Sequence, residues 1–375
     1  MSWPRAPLLM VSSSSRTGAV EGFISLAREL RAQGLDARFA GDTVRPGENL
    51  GEHLAEAGVP WERQLRLSRK VRAFDVLHDV RELARGPYDL LHTAMAHDHL
   101  VALLGAWRRP GLRVVRAVQR RLDVEPGFLG KRLWALRRSD GVLVHCESYR
   151  TLLLRHLHPE RVACVPGSVD AQVFTPGGSP ALRARWGIPL DAPLAGMVAR
   201  MKPERGQRVL LQAFARALRE VPGAWLVLVG RGEEEEPLRA VVRQLAIADR
   251  VVFGGYQRGP GLIEAYRALD VAVWLREGND GACRGVLEAM ACGVPVVAGN
   301  AGAPGELVRD GLDGRIVDPG DPAAIGRALA ELLRDPARSR ALGRSARERA
   351  EGFTPALAAA RTLAFWRRIR ELPPA

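Results

Sequence analysis

Lysine is nearly absent from this sequence of 375 residues: Lys70, Lys131 and Lys202 are the three lysines among 55 basic residues. The formal charge of +13 is therefore carried by arginine, scattered through many segments rather than gathered in one stripe. Nucleic-acid binding calls for a clustered basic footprint, so no nucleic-acid partner is expected. Long apolar runs are also missing. No stretch approaches the roughly 18 apolar residues of a membrane helix, and the opening MSWPRAPLLMVSSSS has too short an apolar run for a secretory signal. The expectation is a cytoplasmic protein whose first buried strand is PLLMVS. The four cysteines, Cys146, Cys164, Cys283 and Cys292, show no C-x-x-C pair and no Cys/His set at zinc spacing. They are expected to be reduced, buried thiols, with no metal site and no cofactor.

What is present is alternation. The β-rich runs PLLMVS, DLLHTA, LRVVRAV and GVLVHC are separated by segments of helical content such as VEGFISLARELRAQG. The second half repeats this grammar with LAGMVAR, WLVLVGRG, RVVFGGY, VAVWL and VPVVAG. Strands alternating with helices of 10–15 residues predict parallel sheets covered on both faces, and the length predicts two domains. The Pro- and Gly-rich stretch 175–193 separates the two series, which places an N-terminal domain at 1–175 and a C-terminal one at 176–356. Ala359, Leu363, Trp366 and Ile369 recur at helical spacing, so 357–375 is predicted to be an amphipathic helix that packs on either domain.

Chemistry concentrates in 277–299, EGNDGACRGVLEAMACGVPVVAG. Asp280 is a good N-cap, Gly281 through Cys292 has helix-forming content, and Gly293 with Pro295 ends it. On such a helix Asp280 and Glu288 stand about 12 Å apart along the axis. The N–H groups of Gly281, Ala282 and Cys283 lie between them at the positive end, where a diphosphate binds well. One acid could hold sugar hydroxyls and the other ribose hydroxyls, with phosphate between; the alternative is that Asp280 merely caps the helix and Glu288 is a solvated surface acid. A second element, LAGMVARMKPERGQR, places Arg200 at a strand end and Arg205 just before a helix. Two guanidiniums there can converge on one phosphate, at the strand end where open α/β sheets bind ligands.

The segments VARMKPERG, LVLVGRGEEEEPLR, RVVFGGY, DGACRGVLEAMACGVPVVAG and GAPGELVRDGLDGRIVDPGD, in this order, resemble the donor-binding half of GT-B glycosyltransferases of family 4. The likeness is looser in SSRTGAVEGFISLARELRAQG, DLLHTAMAHDH and VPGSVDAQVFTP. The resemblance implies two doubly wound, Rossmann-like domains facing a central cleft, the first for the acceptor and the second for the donor. It implies a retaining, metal-independent transfer of sugar from a nucleotide diphosphate sugar to a glycan or lipid-linked acceptor of cell-envelope type. By the same resemblance Arg200 and Arg205 neutralise the diphosphate and Glu288 holds the ribose. Asp280 stands where a glutamate is usual, and Gly18 with Ala19 falls on the first-loop glycine pair, its second member replaced. Gly230 and Gly232, within LVLVGRG, belong to the implied donor-binding set. The family's sugar-contacting histidine comes either after the third strand, where His92, His97 and His99 cluster, or after the next, where this chain has Gln119. His97 is preferred over His92, which should lie at a buried strand end. The departures at Ala19, Asp280 and Gln119 keep a non-catalytic sugar-nucleotide binder, or another GT-B enzyme such as an epimerase, as alternatives.

Residues 108–138 add Arg108, Arg109, Arg120, Arg121, Lys131, Arg132, Arg137 and Arg138, interleaved with Phe128, Leu129, Leu133 and Trp134. This is either a solvated Arg-rich helix or a peripheral contact with an anionic membrane.

Overall fold

The computed structural model describes the chain apart from residues 1–2, 14–17, 44–49, 69–71, 120–122, 125 and 277–282, and apart from the side chains of 126–129 and 131. The described residues divide into two units. One takes in Met1–Ser168 and Pro355–Ala375, the other Val169–Gly278 and Cys283–Thr354. The division therefore falls at Ser168, some seven residues before the Pro- and Gly-rich stretch, which belongs to the second unit.

Each unit is built on one six-stranded sheet whose pairings are all parallel. The first contains β1 (Pro7–Val11), β2 (Arg38–Gly41), β3 (Leu90–Thr93), β4 (Arg113–Ala117), β5 (Gly141–Val144) and β6 (Val162–Cys164), in the order β2-β1-β3-β4-β5-β6. The second contains β7 (Leu194–Val198), β8 (Trp225–Val229), β9 (Val251–Gly255), β10 (Val271–Trp274), β11 (Val296–Gly299) and β12 (Gly314–Val317), in the order β12-β11-β10-β7-β8-β9. Parallel strands covered by helices on both faces must be apolar along their length rather than alternating, and β1, PLLMV, is buried at all five positions. In the second sheet the winding reverses between β7 and β10. Doubly wound sheets bind ligands outside the carboxyl ends of their strands at that reversal.

The helices follow the apolar period. Along α1 (Gly18–Ala32) the buried residues Val20, Phe23, Ile24, Ala27 and Leu30 keep one face on the sheet. The terminal helix α15 (Pro355–Glu371) returns to the first unit: Ala359, Leu363, Trp366 and Ile369 are buried as predicted. Its close approach depends on Gly141 in β5, where a Cβ would lie 2.7 Å from the Phe365 ring. Arg113 and Arg161 then tie down the tail, donating to the carbonyls of Leu372 and Pro373. Trp366 is fully buried with its ring against His92. Trp366→Ala is expected to cost about 3–5 kcal/mol, measured by denaturant unfolding; a loss below about 1 kcal/mol would mean that α15 is not integral to the first unit's core.

Candidate functional site

In the second unit the loop after β7 is pinned to the loop after β8 by continued ladder bonds, Ala199 N–H to the Val229 carbonyl at 2.9 Å and Met201 N–H to the Arg231 carbonyl at 3.1 Å. Backbone runs so close to backbone that only glycine fits opposite. A Cβ on Gly230 would lie 2.0 Å from the Ala199 oxygen, and one on Gly232 would lie 2.1 Å from the Met201 oxygen. Both glycines, predicted as donor-binding, thus have a packing reason of their own. Arg205 ends a single 3₁₀ turn, Pro203–Arg205, and Gly206, in the left-handed region at φ 85°, redirects the chain into α8 (Gln207–Ala217). The Gln207 side chain donates back to the Arg200 carbonyl at 2.8 Å, closing the loop on itself. Arg200 is exposed and Arg205 half-buried.

Arg205 lies against Trp274, the last residue of β10 beside the sheet's reversal. The guanidinium carbon lies 5.5 Å from the indole centroid, within cation–π range. The Cζ3 and Cη2 atoms of the indole meet α11 (Arg284–Ala291) at Gly285, where a Cβ would come within 2.2 Å of the ring. Arg205 and the amino end of α11 are therefore both neighbours of Trp274. Trp274 was not singled out in the sequence, although a tryptophan closing a central parallel strand is a usable signal.

Here the structure corrects the predicted helix. It does not start at Gly281 under an Asp280 cap: α11 begins at Arg284, and its N-cap is Cys283 at φ 47°, ψ 47°. A left-handed residue cannot continue a right-handed helix, so the N–H groups at the helix end are those of Arg284 and Gly285. Glu288 is on α11, whereas Asp280, Gly281 and Ala282 lie outside the described residues. Glu288 is 7% exposed, not a solvated acid. It accepts from the Tyr266 hydroxyl at 2.9 Å and from Arg284 at 3.2 Å. Tyr266 belongs to α10 (Pro260–Arg267), and burial, with the Glu288 charge next in effect, raises its phenol well above the usual range. Cys146, Cys283 and Cys292 are buried, but Cys164 is partly exposed. Burial pushes the Cys292 thiol up to about 12, so it is inert.

Gly18, Ala19 and His97 belong to the first unit. Gly18 opens α1, and the Ala19 methyl is buried in the core. His97 lies in the first turn of α4 (Ala96–Arg108), half-buried; burial lowers its pKa against the opposing charges of Asp79, Asp42 and Asp75. His92 is at the buried strand end as predicted, 4.7 Å from the Phe23 ring, and His99 is bound to Ser139 at 2.7 Å. Gln119 is buried. The unforeseen feature is Asp98, fully buried, which accepts from the N–H groups of Ser12 and Met95 at 2.8 Å each. Burial raises it to about 7 despite buried Arg116, 3.8 Å away. The signal was present as an acid three residues after a helix N-cap. Among the described residues no group of His, Cys, Asp or Glu is arranged to hold a metal ion.

Two parallel doubly wound sheets, with a guanidinium and a helix end gathered at one reversal, define the GT-B class. The comparisons agree. Residues 179–349 match the family described as Glycosyl transferases group 1, and residues 16–173 match Glycosyltransferase Family 4. The GDP-mannose-dependent alpha-(1-6)-phosphatidylinositol monomannoside mannosyltransferase of Mycolicibacterium smegmatis is 34% identical over 65% of this chain and 67% of its own. The D-inositol 3-phosphate glycosyltransferase of Acidothermus cellulolyticus is 36% identical over 47% of this chain and 41% of its own. Among the first four such relatives, the match spans 41% to 52% of their length. The structure of Anabaena HepE with UDP-glucose superposes with a TM-score of 0.82 at 20% identity, covering 96% of this chain and 98% of that one. Sucrose-phosphate synthase from Thermosynechococcus elongatus gives 0.80 at 22% identity, covering 97% and 98%. The chain belongs to the group 1, family 4 GT-B glycosyltransferases.

Buried His92 and His99 both have pKa values lowered to about 3, by burial above all. In the unfolded chain they protonate near 6.5, so the unfolded state binds more protons between those values and stability falls as pH drops from about 6.5 toward 3. His92→Phe is expected to narrow the difference in Tm between pH 7.5 and pH 4.5, by about 2–4 °C for each kcal/mol recovered. An unchanged difference would show that His92 is not the buried neutral group described.

Proposed function

We propose that the protein is a retaining, metal-independent glycosyltransferase that moves a sugar from a nucleoside diphosphate sugar to a glycan or lipid-linked acceptor of the cell envelope. The observation that carries this reading is the stack of Arg205 on Trp274 beside the α11 N-terminus, at the carboxyl ends of β7 and β10. Cleaving the bond between sugar and diphosphate builds negative charge on the leaving group. Positive charge held in place beforehand stabilises that change without reorganisation. Arg205 and Arg200 would supply it, Glu288 would hold the ribose, and Asp280 with His97 would face the sugar. The names of the related proteins point to GDP-mannose in one case and UDP-glucose in another, so a donor panel must include both bases. Arg205→Ala is expected to lower turnover about 10²–10³-fold with little change in Tm. Near-normal turnover would remove the diphosphate role. Binding of a sugar nucleotide by the native protein without hydrolysis or transfer would favour the non-catalytic reading, which the replacement at Ala19 supports.

The membrane reading also gains a specific surface. No described helix is long and apolar enough to cross a membrane. Instead Trp107 is 81% exposed and Phe74 83% exposed, with Leu77, Leu100 and Leu104 also outward. Leu100, Leu104 and Trp107 share one face of α4 and lead into Arg108 and Arg109. Phe74 and Leu77 belong to α3 (Ala73–Arg85), which packs beside α4. The exposed apolar side chains of α3 and α4 thus add to the patch predicted from sequence, in which Trp134 is 49% exposed; the side chains of Phe128, Leu129 and Lys131, and all of Arg120 and Arg121, lie outside the described residues. Apolar side chains bordered by arginines suit an anionic lipid surface. Trp107→Ser should weaken binding to phosphatidylglycerol-containing vesicles about tenfold. Equal indifference of the native protein to anionic and neutral vesicles would dismiss the contact.

A further inference from the structure

Glu288 is a carboxylate whose two oxygens are each held from a different direction. The Tyr266 hydroxyl donates to Oε2 at 2.9 Å and the Arg284 guanidinium to Oε1 at 3.2 Å. Tyr266 is itself fixed: it is 2% exposed, and its ring meets Phe174 edge-on at 6.1 Å between centroids. Its hydroxyl also borders Gly285, where a Cβ would come within 3.0 Å. Arg284 occupies the first turn of α11, where the helix dipole disfavours a cation. Its bond to Glu288 one turn later offsets that cost, and the orientation of arginine before glutamate is the weaker one for helix stability alone. Arg284 is therefore not what this helix would select there for its own sake.

We propose that Tyr266 is the positioning residue for the nucleotide's ribose. Together with Arg284 it sets the plane of the Glu288 carboxylate, so that the two ribose hydroxyls can both donate to it. This rests on the reading of Glu288 as the ribose ligand. A carboxylate offers about four acceptor directions, so bonds from Tyr266 and Arg284 are compatible with a diol donating to the same group. A carboxylate free to turn about its last torsion would align with one hydroxyl at a time.

Tyr266→Phe removes one oxygen and keeps the ring against Phe174. Calorimetry compares the native protein, Tyr266→Phe and Glu288→Gln, using whichever of uridine, guanosine or adenosine diphosphate the native protein binds, its 2′-deoxy counterpart and inorganic pyrophosphate. Tyr266→Phe is expected to weaken the ribonucleotide about five- to tenfold while leaving the 2′-deoxynucleotide and pyrophosphate within twofold. Its preference for ribose over deoxyribose then falls toward that of Glu288→Gln. Native-like discrimination by Tyr266→Phe, with discrimination lost in Glu288→Gln, overturns the positioning role alone. Native-like discrimination by Glu288→Gln overturns the reading of Glu288 beneath it. Equal weakening of all three ligands by Tyr266→Phe would mean general loosening of the unit, and would likewise overturn the positioning role.

Discussion

The second unit is organised around one steric constraint: the indole of Trp274 occupies space that any side chain on residue 285 would need. Because residue 285 is glycine, α11 can approach β10 until backbone and ring are in contact. The same ring also has the Arg205 guanidinium over it. An aromatic face attracts a guanidinium and helps to orient it. Arg309, by comparison, is held in a two-pronged contact with Asp313. The tryptophan thus links packing to electrostatics: one contact sets both where the helix end points and where the cation rests.

Much of this architecture is legible in the sequence because parallel sheets leave a simple record. Buried strands read as short apolar runs, and α15 betrays its inner face through Ala359, Leu363, Trp366 and Ile369. The placement of Arg200 at a strand end and of Arg205 just before a helix follows from that alternation. The start of α11 was not legible, because the break depends on Cys283 adopting a left-handed backbone. Cysteine carries no such preference, unlike glycine or asparagine. Only tertiary context, in which Cys283 is fully buried between β10 and α11, imposes it.

The charged interior of the first unit was hidden for a related reason. Arg116 in the strand RVVRA reads as an outward-facing residue, yet both faces of a central parallel strand are covered. It must therefore meet acids inside, and it does so in Asp98 and Asp123, from different segments of the chain. Sequence spacing cannot reveal such a meeting, since it is created by the strand order. Gly230 and Gly232 have a reason in packing as well, since the oxygens that exclude a Cβ there belong to Ala199 and Met201.

The excess of arginine then acquires a structural account. Arg183 donates to the carbonyls of Ala268, Leu190 and Ala192 as well as to Asp270. Arg347 joins the carbonyls of Phe174 and Ala291, and Arg349 those of Leu307 and Glu306. Each guanidinium has five donors in a rigid fork, so one side chain can satisfy several chain ends at once, where lysine's compact ammonium is less well matched. These arginines tie loops and helix termini together, and their charge is a by-product of that work. A formal charge of +13 does not by itself identify a polyanion-binding surface. It obliges any claim for a particular arginine to rest on its surroundings, which for Arg205 include a ring face beside a helix end at the reversal of the sheet.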